Sequence, residues 1–173
     1  MHALREADRA RWADAEAWLL RAAPSPQTAA MEWARHCVAV LAAGQKWDVV
    51  RVPYAVLHPD FGLDTTPDKL RHQVSELKMS GSMFCDPYRP YLYVMVPPGT
   101  DKTWPYDSSP AGVECLGGTR PFIHHVGVPS LDRLAPPGLF WLIPPYSLDS
   151  PLADPEHLKQ VLRLGPRPDT GTP

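Results

Sequence analysis

An α+β domain with a mainly antiparallel sheet flanked by about four helices is the fold this sequence predicts. Helix starts are written as an N-cap residue followed by proline, and short apolar segments of strand length are broken by Gly and Pro. Those segments also follow one another in succession without alternating singly with helices, which favours antiparallel pairing over a parallel, doubly wound sheet.

The first helix, roughly Ala7 to Arg21, brings Trp12, Ala15, Trp18, Leu19 and Ala22 round at three- and four-residue steps and so presents an apolar stripe. Its tryptophans read as core packing in preference to a base-stacking platform. Ser25-Pro26, Thr66-Pro67 and Asp154-Pro155 start three further helices, with proline where its missing N–H costs nothing. Leu70, Val74 and Leu77 give the third helix its buried face, and Leu158, Val161 and Leu162 the last, with Gly165 placed to end it. Strand segments "CVAVLAA" and "WDVVRVP" flank Gly44-Gln45-Lys46, and "SMFCD", "YLYVMVP", "GVECL", "IHHVGVP" and "LFWLIPP" follow, roughly seven in all. Trp12, Trp18, Trp33 and Trp141 lie on apolar stripes or strands and are expected to be largely buried; Trp104, in a long connection, is expected to differ.

A chain of 173 residues with 44% hydrophobic content can bury a sizeable core, and the length suggests one domain over residues 1–165, with the tail "PRPDTGTP", 166–173, frayed and disordered. There is no apolar run of membrane-spanning length, and the charged N-terminus lacks the core of a signal peptide. Cys37, Cys85 and Cys115 are odd in number, widely spaced and without a CxxC pair, which fits a reduced, cytoplasmic compartment. A net charge of -2 argues against strong nonspecific nucleic-acid binding. Arg5, Arg9, Arg11 and Arg21 are interrupted by Asp8, Asp14 and Glu16, so the first helix reads as a solvated face.

No P-loop, GxGxxG, GxSxG or HExxH occurs, and no cofactor or metal is expected from motif. His124 and His125 are adjacent on a strand, where successive side chains point to opposite faces; one is expected buried and the other exposed. A His124–Cys115 or His125–Glu114 pair across neighbouring strands would be a nucleophile and its base, against the plainer reading of the cysteines as small core residues.

The series "YLYVMVPPGT", a long polar loop, "GVECLGG", "IHHVGVPS" and "LFWLIPP" resembles the second half of the bifunctional DNA primase/polymerase N-terminal family of the archaeo-eukaryotic primase superfamily. A group of small, actinobacterial-type proteins bearing that family's name is similar in a further respect, a Trp-rich first helix before a segment that stands here as Gly44 to Pro53. The resemblance spans roughly residues 10 to 164. It implies a primase/polymerase-like module in which paired acids and a third acid hold divalent metal and a histidine holds the nucleotide phosphate. Hard oxygen ligands and a phosphate donor are what phosphoryl transfer requires. Aligned on the family, Tyr91 stands at the histidine and Glu114 at the third acid, while no Asp-x-Asp, Asp-x-Glu or Glu-x-Asp occurs on a strand. Tyr91 donates a neutral hydrogen bond but carries no imidazolium charge. Asp48 stands as a lone carboxylate. The resemblance thus implies a catalytically degenerate member, with an active primase or polymerase as the smaller alternative.

Pro97 to Gly112, "PPGTDKTWPYDSSPAG", is a sixteen-residue connection, long enough to be a lid or binding loop. It carries Lys102, Trp104 and Tyr106, an aromatic pair beside a cation that could stack a base and touch a phosphate. With Arg89, Tyr91, Tyr93 and Glu114 these residues make the expected ligand set for a nucleotide or single-stranded nucleic acid, bound weakly. A protein- or metabolite-binding domain on the same scaffold is the alternative. If Tyr91 and Glu114 belong to one emptied site, they share a sheet face with Tyr93, and Leu92 and Val94 turn to the other.

Overall fold

The structure is a computed structural model and describes residues 2–119 and 122–163, apart from the side chains of residues 2–5 and 107. Gly165 and the tail 166–173 lie outside the described residues. The elements run α1 (His2–Leu20), α2 (Pro26–His36), β1 (Val38–Ala42), β2 (Asp48–Pro53), α3 (Tyr54–Leu57), α4 (Pro67–Glu76), β3 (Met83–Asp86), β4 (Tyr91–Val96), β5 (Glu114–Leu116), β6 (His125–Pro129), β7 (Phe140–Ile143) and α5 (Pro155–Arg163). Single 3-10 turns occupy Thr100–Lys102, Tyr106–Ser108 and Pro145–Ser147. The class is α+β, and every strand pair is antiparallel. No described helix is long and apolar enough to cross a membrane.

The N-cap residues act as their sequence indicates. Ser25 Oγ accepts from the Thr28 N–H, Thr66 Oγ1 from the Lys69 N–H and Asp154 Oδ1 from the Glu156 N–H. One helix has no counterpart in the sequence reading. The single turn α3 follows directly on Pro53, which ends β2 and has no N–H to continue a ladder.

The strands divide into two sheets, with order β5-β2-β4-β3-β7 in the larger and β1-β6 in the smaller. Gly44 is where β1 departs from β2. Its φ of +95° suits glycine, and a Cβ there would lie 2.3 Å from Gly118 Cα. The outer edge of β1 is occupied: Glu32 Oε2 accepts from the Val40 N–H, and the Ala22 carbonyl from the Ala42 N–H.

Both faces of the five-stranded sheet are covered over most of their area. On one, Val50, Val52, Leu92, Val94, Met83, Cys85, Cys115 and Phe140 pack with α4, α5 and Trp104. On the other, Val49, Met95, Phe84 and Trp141 pack with Trp47, with Leu19 and Trp33 of the first two helices, and with β1 and β6. Burial of the tryptophans differs from expectation. Trp33 and Trp141 are buried, but Trp12 and Trp18 are half-buried, and Trp104 is only 5% exposed. The reason for Trp104 is α5, whose Leu158 and Leu162 share its core and whose Lys159 Nζ sits 5.9 Å from its ring centroid.

Candidate functional site

Where α1, α2 and the small sheet no longer cover it, the second face of the large sheet turns polar. Strand register sets this end. Arg51 on β2 is the partner of both Tyr93 on β4 and Glu114 on β5, and Pro53 is the partner of Tyr91. Because side chains alternate along a strand, Tyr91, Tyr93, Arg51 and Glu114 share one face, and Leu92, Val94 and Cys115 take the other, where they are buried.

Arg51 joins these groups. Its Nη2 donates to Glu114 Oε2 at 2.8 Å, and its guanidinium carbon lies 4.7 Å from the Tyr91 ring centroid. Tyr91 meets Tyr93 edge to face at 6.5 Å, and Tyr93 stacks flat on Phe84 at 4.8 Å with 4° between the planes. The aromatic row is thus anchored at its Phe84 end in the core and capped at its Tyr91 end by a cation. Burial holds the Tyr93 phenol above its ordinary pKa, against the lowering influence of Arg51.

Arg89 is exposed in the turn between β3 and β4. Asp86 builds that turn, its Oδ1 accepting from the backbone N–H groups of Tyr88 and Arg89. Asp86 faces the same side as Tyr91, its cross-strand partner. It stands three strands from β5, about 14 Å at the usual strand spacing. Glu114 and Asp86 therefore do not converge, and Glu114 is committed to Arg51. Among the described residues no group of three or more His, Cys, Asp or Glu side chains could hold a metal ion. The acids of this face do not fit the metal site that the primase/polymerase resemblance implies.

The segment 97–112 is packed against the protein along much of its length. Tyr106, 52% exposed, donates its hydroxyl to the Cys115 carbonyl at 2.9 Å, which places it on the outer edge of β5. Lys102 is exposed on a turn whose Asp101 N–H bonds Asp48, at the end of β2 opposite Pro53. The six residues from Asp48 to Pro53 span about 17 Å of strand. The expected ligand set therefore separates: Tyr91, Tyr93, Glu114 and, at the adjacent turn, Arg89 lie together, Tyr106 flanks Glu114's strand, and Lys102 sits apart. Trp104 is withdrawn into the core, where its ring has no face for a ligand.

Asp48 is not the lone carboxylate the sequence suggests. It is fully buried, its Oδ2 accepts from the Asp101 N–H at 3.0 Å, and its carboxyl group is within hydrogen-bonding reach of the Asp101 carboxyl group. Neither histidine of the pair His124 and His125 is buried; the His124 ring instead meets the Gly117 carbonyl at 3.1 Å. His125 belongs to β6, in the other sheet from β5, and so pairs with Ala42 and not with Glu114. Burial pushes the Cys115 thiol up, away from a reactive thiolate.

Sequence reasoning missed Arg51. Its signal was an arginine set between Val50 and Val52 in an otherwise apolar strand. In comparisons with known proteins, no family model, no curated protein and no solved structure matches this chain.

Proposed function

We propose that the exposed polar end of the large sheet binds a planar ring, a nucleotide base or a base of single-stranded nucleic acid, without catalysing chemistry on it. The position of the Arg51 guanidinium over the Tyr91 ring, 4.7 Å from its centroid, carries this reading. The outer face of a guanidinium plane is a surface on which a base stacks, and Tyr91 beneath and Glu114 beside hold that plane in place. Little is left for phosphate. The charge of Arg51 is already paired at 2.8 Å, and the acids needed to bring Mg²⁺ to a triphosphate do not converge. On the primase/polymerase resemblance, this is a module that retains a base platform and has lost the metal chemistry. Titration calorimetry with adenosine, ATP and a short single strand, with and without Mg²⁺, tests it. Weak binding that is similar for adenosine and ATP and independent of Mg²⁺ is expected; tight, Mg²⁺-dependent ATP binding overturns the reading.

A protein- or metabolite-binding role is favoured by a different observation. Trp12 stacks on Tyr146 at 5.0 Å and 28°, and cavities of about 280 and 400 Å³ flank this pair, sharing Arg11 and Tyr146 and reaching Trp18 and Pro151. Half-buried aromatic side chains beside open concavities are the usual material of small-molecule and peptide sites. Loss of binding to a Trp12→Ala variant, with the Tyr91→Ala variant unaffected, would assign function to this cleft.

A further inference from the structure

Asp48 and Asp101 each leave one carboxylate oxygen, Oδ1, buried and without a hydrogen-bond partner. Their other oxygens are satisfied by backbone donors: Asp48 Oδ2 by the Asp101 N–H at 3.0 Å, and Asp101 Oδ2 by the Thr119 N–H at 2.9 Å. The two carboxyl groups lie within hydrogen-bonding reach of each other. Two ionised carboxylates in this arrangement would have two orphaned buried oxygens and unrelieved repulsion. One proton between them removes both defects, since a protonated carboxyl donates one bond to a carboxylate.

We propose that Asp48 and Asp101 share a single proton, and that this shared proton is a clasp fastening the segment 97–112 to the end of β2 and over the outer edge of β5. The topology gives the clasp its reach. Asp48 opens β2, Asp101 sits in the turn at the start of the long segment, and Thr119 follows β5, so one carboxyl pair ties three pieces of chain. The site is also closed sterically: a Cβ on Gly117 would lie 2.3 Å from Asp101 Cγ.

The charged and titratable groups around the pair come from each neighbouring element. The turn at 100–102 supplies Asp101 and the Lys102 backbone N–H, and the turn at 106–108 and β5 supply Tyr106 and Cys115, which feel both carboxyl groups; Glu114 bears on Tyr106 and Lys159 on Cys115. Val96, the cross-strand partner of Asp48 on β4, is apolar. Lys159 is engaged with Glu156 at 2.8 Å, so no described cation is bonded to the pair. Burial and then the adjacent Asp101 charge push the Asp48 carboxyl up to about 6, against the lowering effects of the Asp101 N–H and, more weakly, the Gly99 N–H. Asp101 is also pushed up by burial, but hydrogen bonds from Thr119 and from Asp48 outweigh this and hold it below its ordinary value. Asp48 is thus the member that carries the proton, and the clasp loosens when that proton leaves.

The test uses the full chain, isotopically labelled, with carboxyl carbon shifts of Asp48 and Asp101 followed by NMR from pH 3.5 to 8. Both carboxyl signals are expected to respond to one common step near pH 6. Exchange protection of the Asp101 and Thr119 amides, corrected for intrinsic rate, is expected to fall at least about tenfold across that step. Asp48→Asn, whose amide donates to Asp101 permanently, should abolish the step and keep the protection; Asp101→Asn should move the Asp48 step downward. Independent titration of each carboxyl near the ordinary aspartate value overturns the proposal. So does unchanged protection across the step, or a step displaced by millimolar Mg²⁺ or Ca²⁺, which would put a cation where the proton is placed.

Discussion

Arg51 lies with its guanidinium carbon 4.7 Å from the centroid of the Tyr91 ring while donating to Glu114 at 2.8 Å, so a residue of β2 links strands on both of its sides. If a base stacks on that guanidinium, the ring beneath it must support the plane. Tyr91→Ala is therefore expected to weaken adenosine or single-strand binding about 5- to 150-fold, the range given by stacking worth ~1–3 kcal/mol per base. Arg51→Lys should weaken it comparably, because an ammonium retains the charge but not the planar surface. Calorimetry on the two variants checks both statements; retention of full affinity by Tyr91→Ala removes the platform.

If this end of the sheet takes a base, Glu114 is expected to set what else it accepts. By neutralising Arg51 it stands where a phosphate would otherwise pair. Glu114→Gln should leave adenosine binding nearly unchanged and improve ATP binding about fivefold at low salt, roughly the 1 kcal/mol of a partly exposed charge-assisted contact. The fold should not suffer, since the pair is 27% and 49% exposed and such pairs contribute at most about 1 kcal/mol. Equal affinities for ATP in the variant and the parent would show that Glu114 does not compete with phosphate.

The buried tryptophans separate from the half-buried ones in stability. Trp47, Trp104 and Trp141 fill space in the two cores on either side of the large sheet. Replacing any of them by Ala is expected to cost about 3–5 kcal/mol, enough to unfold much of a marginally stable domain. Trp12→Ala and Trp18→Ala should cost less, because part of each ring already meets solvent. Urea unfolding of the five variants orders them; a Trp104→Ala variant as stable as Trp12→Ala would detach segment 97–112 from the core.

How far the sequence discloses this structure depends on the distance over which each signal acts. The caps of α2, α4 and α5 are local, decided by a side chain reaching an N–H two or three residues on, and they are legible in Ser25-Pro26, Thr66-Pro67 and Asp154-Pro155. All seven strand segments are legible for the same reason, as is the face shared by Tyr91 and Tyr93. What is not legible is set by pairing across long separations. That β1 leaves β2 to pair with β6 depends on Gly44 abutting Gly118, and that Asp48 has a partner depends on a contact 53 residues away. The placement of Trp104 fails likewise, because α5, which covers it, comes more than fifty residues later. The site residue that was overlooked, Arg51, is a case in which local sequence carried the signal.

Stability should depend on pH in a direction fixed by Asp48. Its carboxyl is raised from 3.8 to about 6 in the folded protein, so between these values the native state holds more protons than the unfolded state. Its contribution is therefore full below about pH 4 and is lost as pH rises towards 6, by at most about 3 kcal/mol at 1.36 kcal/mol per unit. Asp101 acts oppositely: its lowered pKa stabilises above the ordinary aspartate range, and that contribution is lost as pH falls through it. Urea midpoints measured at pH 4.5, 5.5, 6.5 and 7.5 should decline as pH rises through about 6 and then level off, and Asp48→Asn should flatten the decline. A midpoint that rises over this range contradicts the raised Asp48.

Gly117 offers a steric test of the same contact that leaves both carboxyl groups in the chain. A Cβ at this position would lie 2.3 Å from Asp101 Cγ and 2.6 Å from its Oδ2, while its backbone is not in the left-handed region. The cost of Gly117→Ala must then be displacement of the Asp101 carboxyl group, with loss of the Thr119 bond and separation from Asp48. Overpacking of this kind costs about 1–3 kcal/mol. Gly99→Ala is the control: a Cβ there meets nothing within 4 Å, but its φ of +88° makes the substitution costly through backbone strain, by about 1–2 kcal/mol. The two variants should thus be destabilised to similar extents in urea at pH 5. Their pH profiles should differ, because only Gly117→Ala separates the carboxyl groups. Its decline between pH 4.5 and 7.5 should be shallower, because the Asp101 charge no longer adds to the effect of burial on Asp48, whereas Gly99→Ala should retain the parental decline. A Gly117→Ala protein with the parental decline would mean that the pH dependence arises elsewhere than in the contact between Asp48 and Asp101.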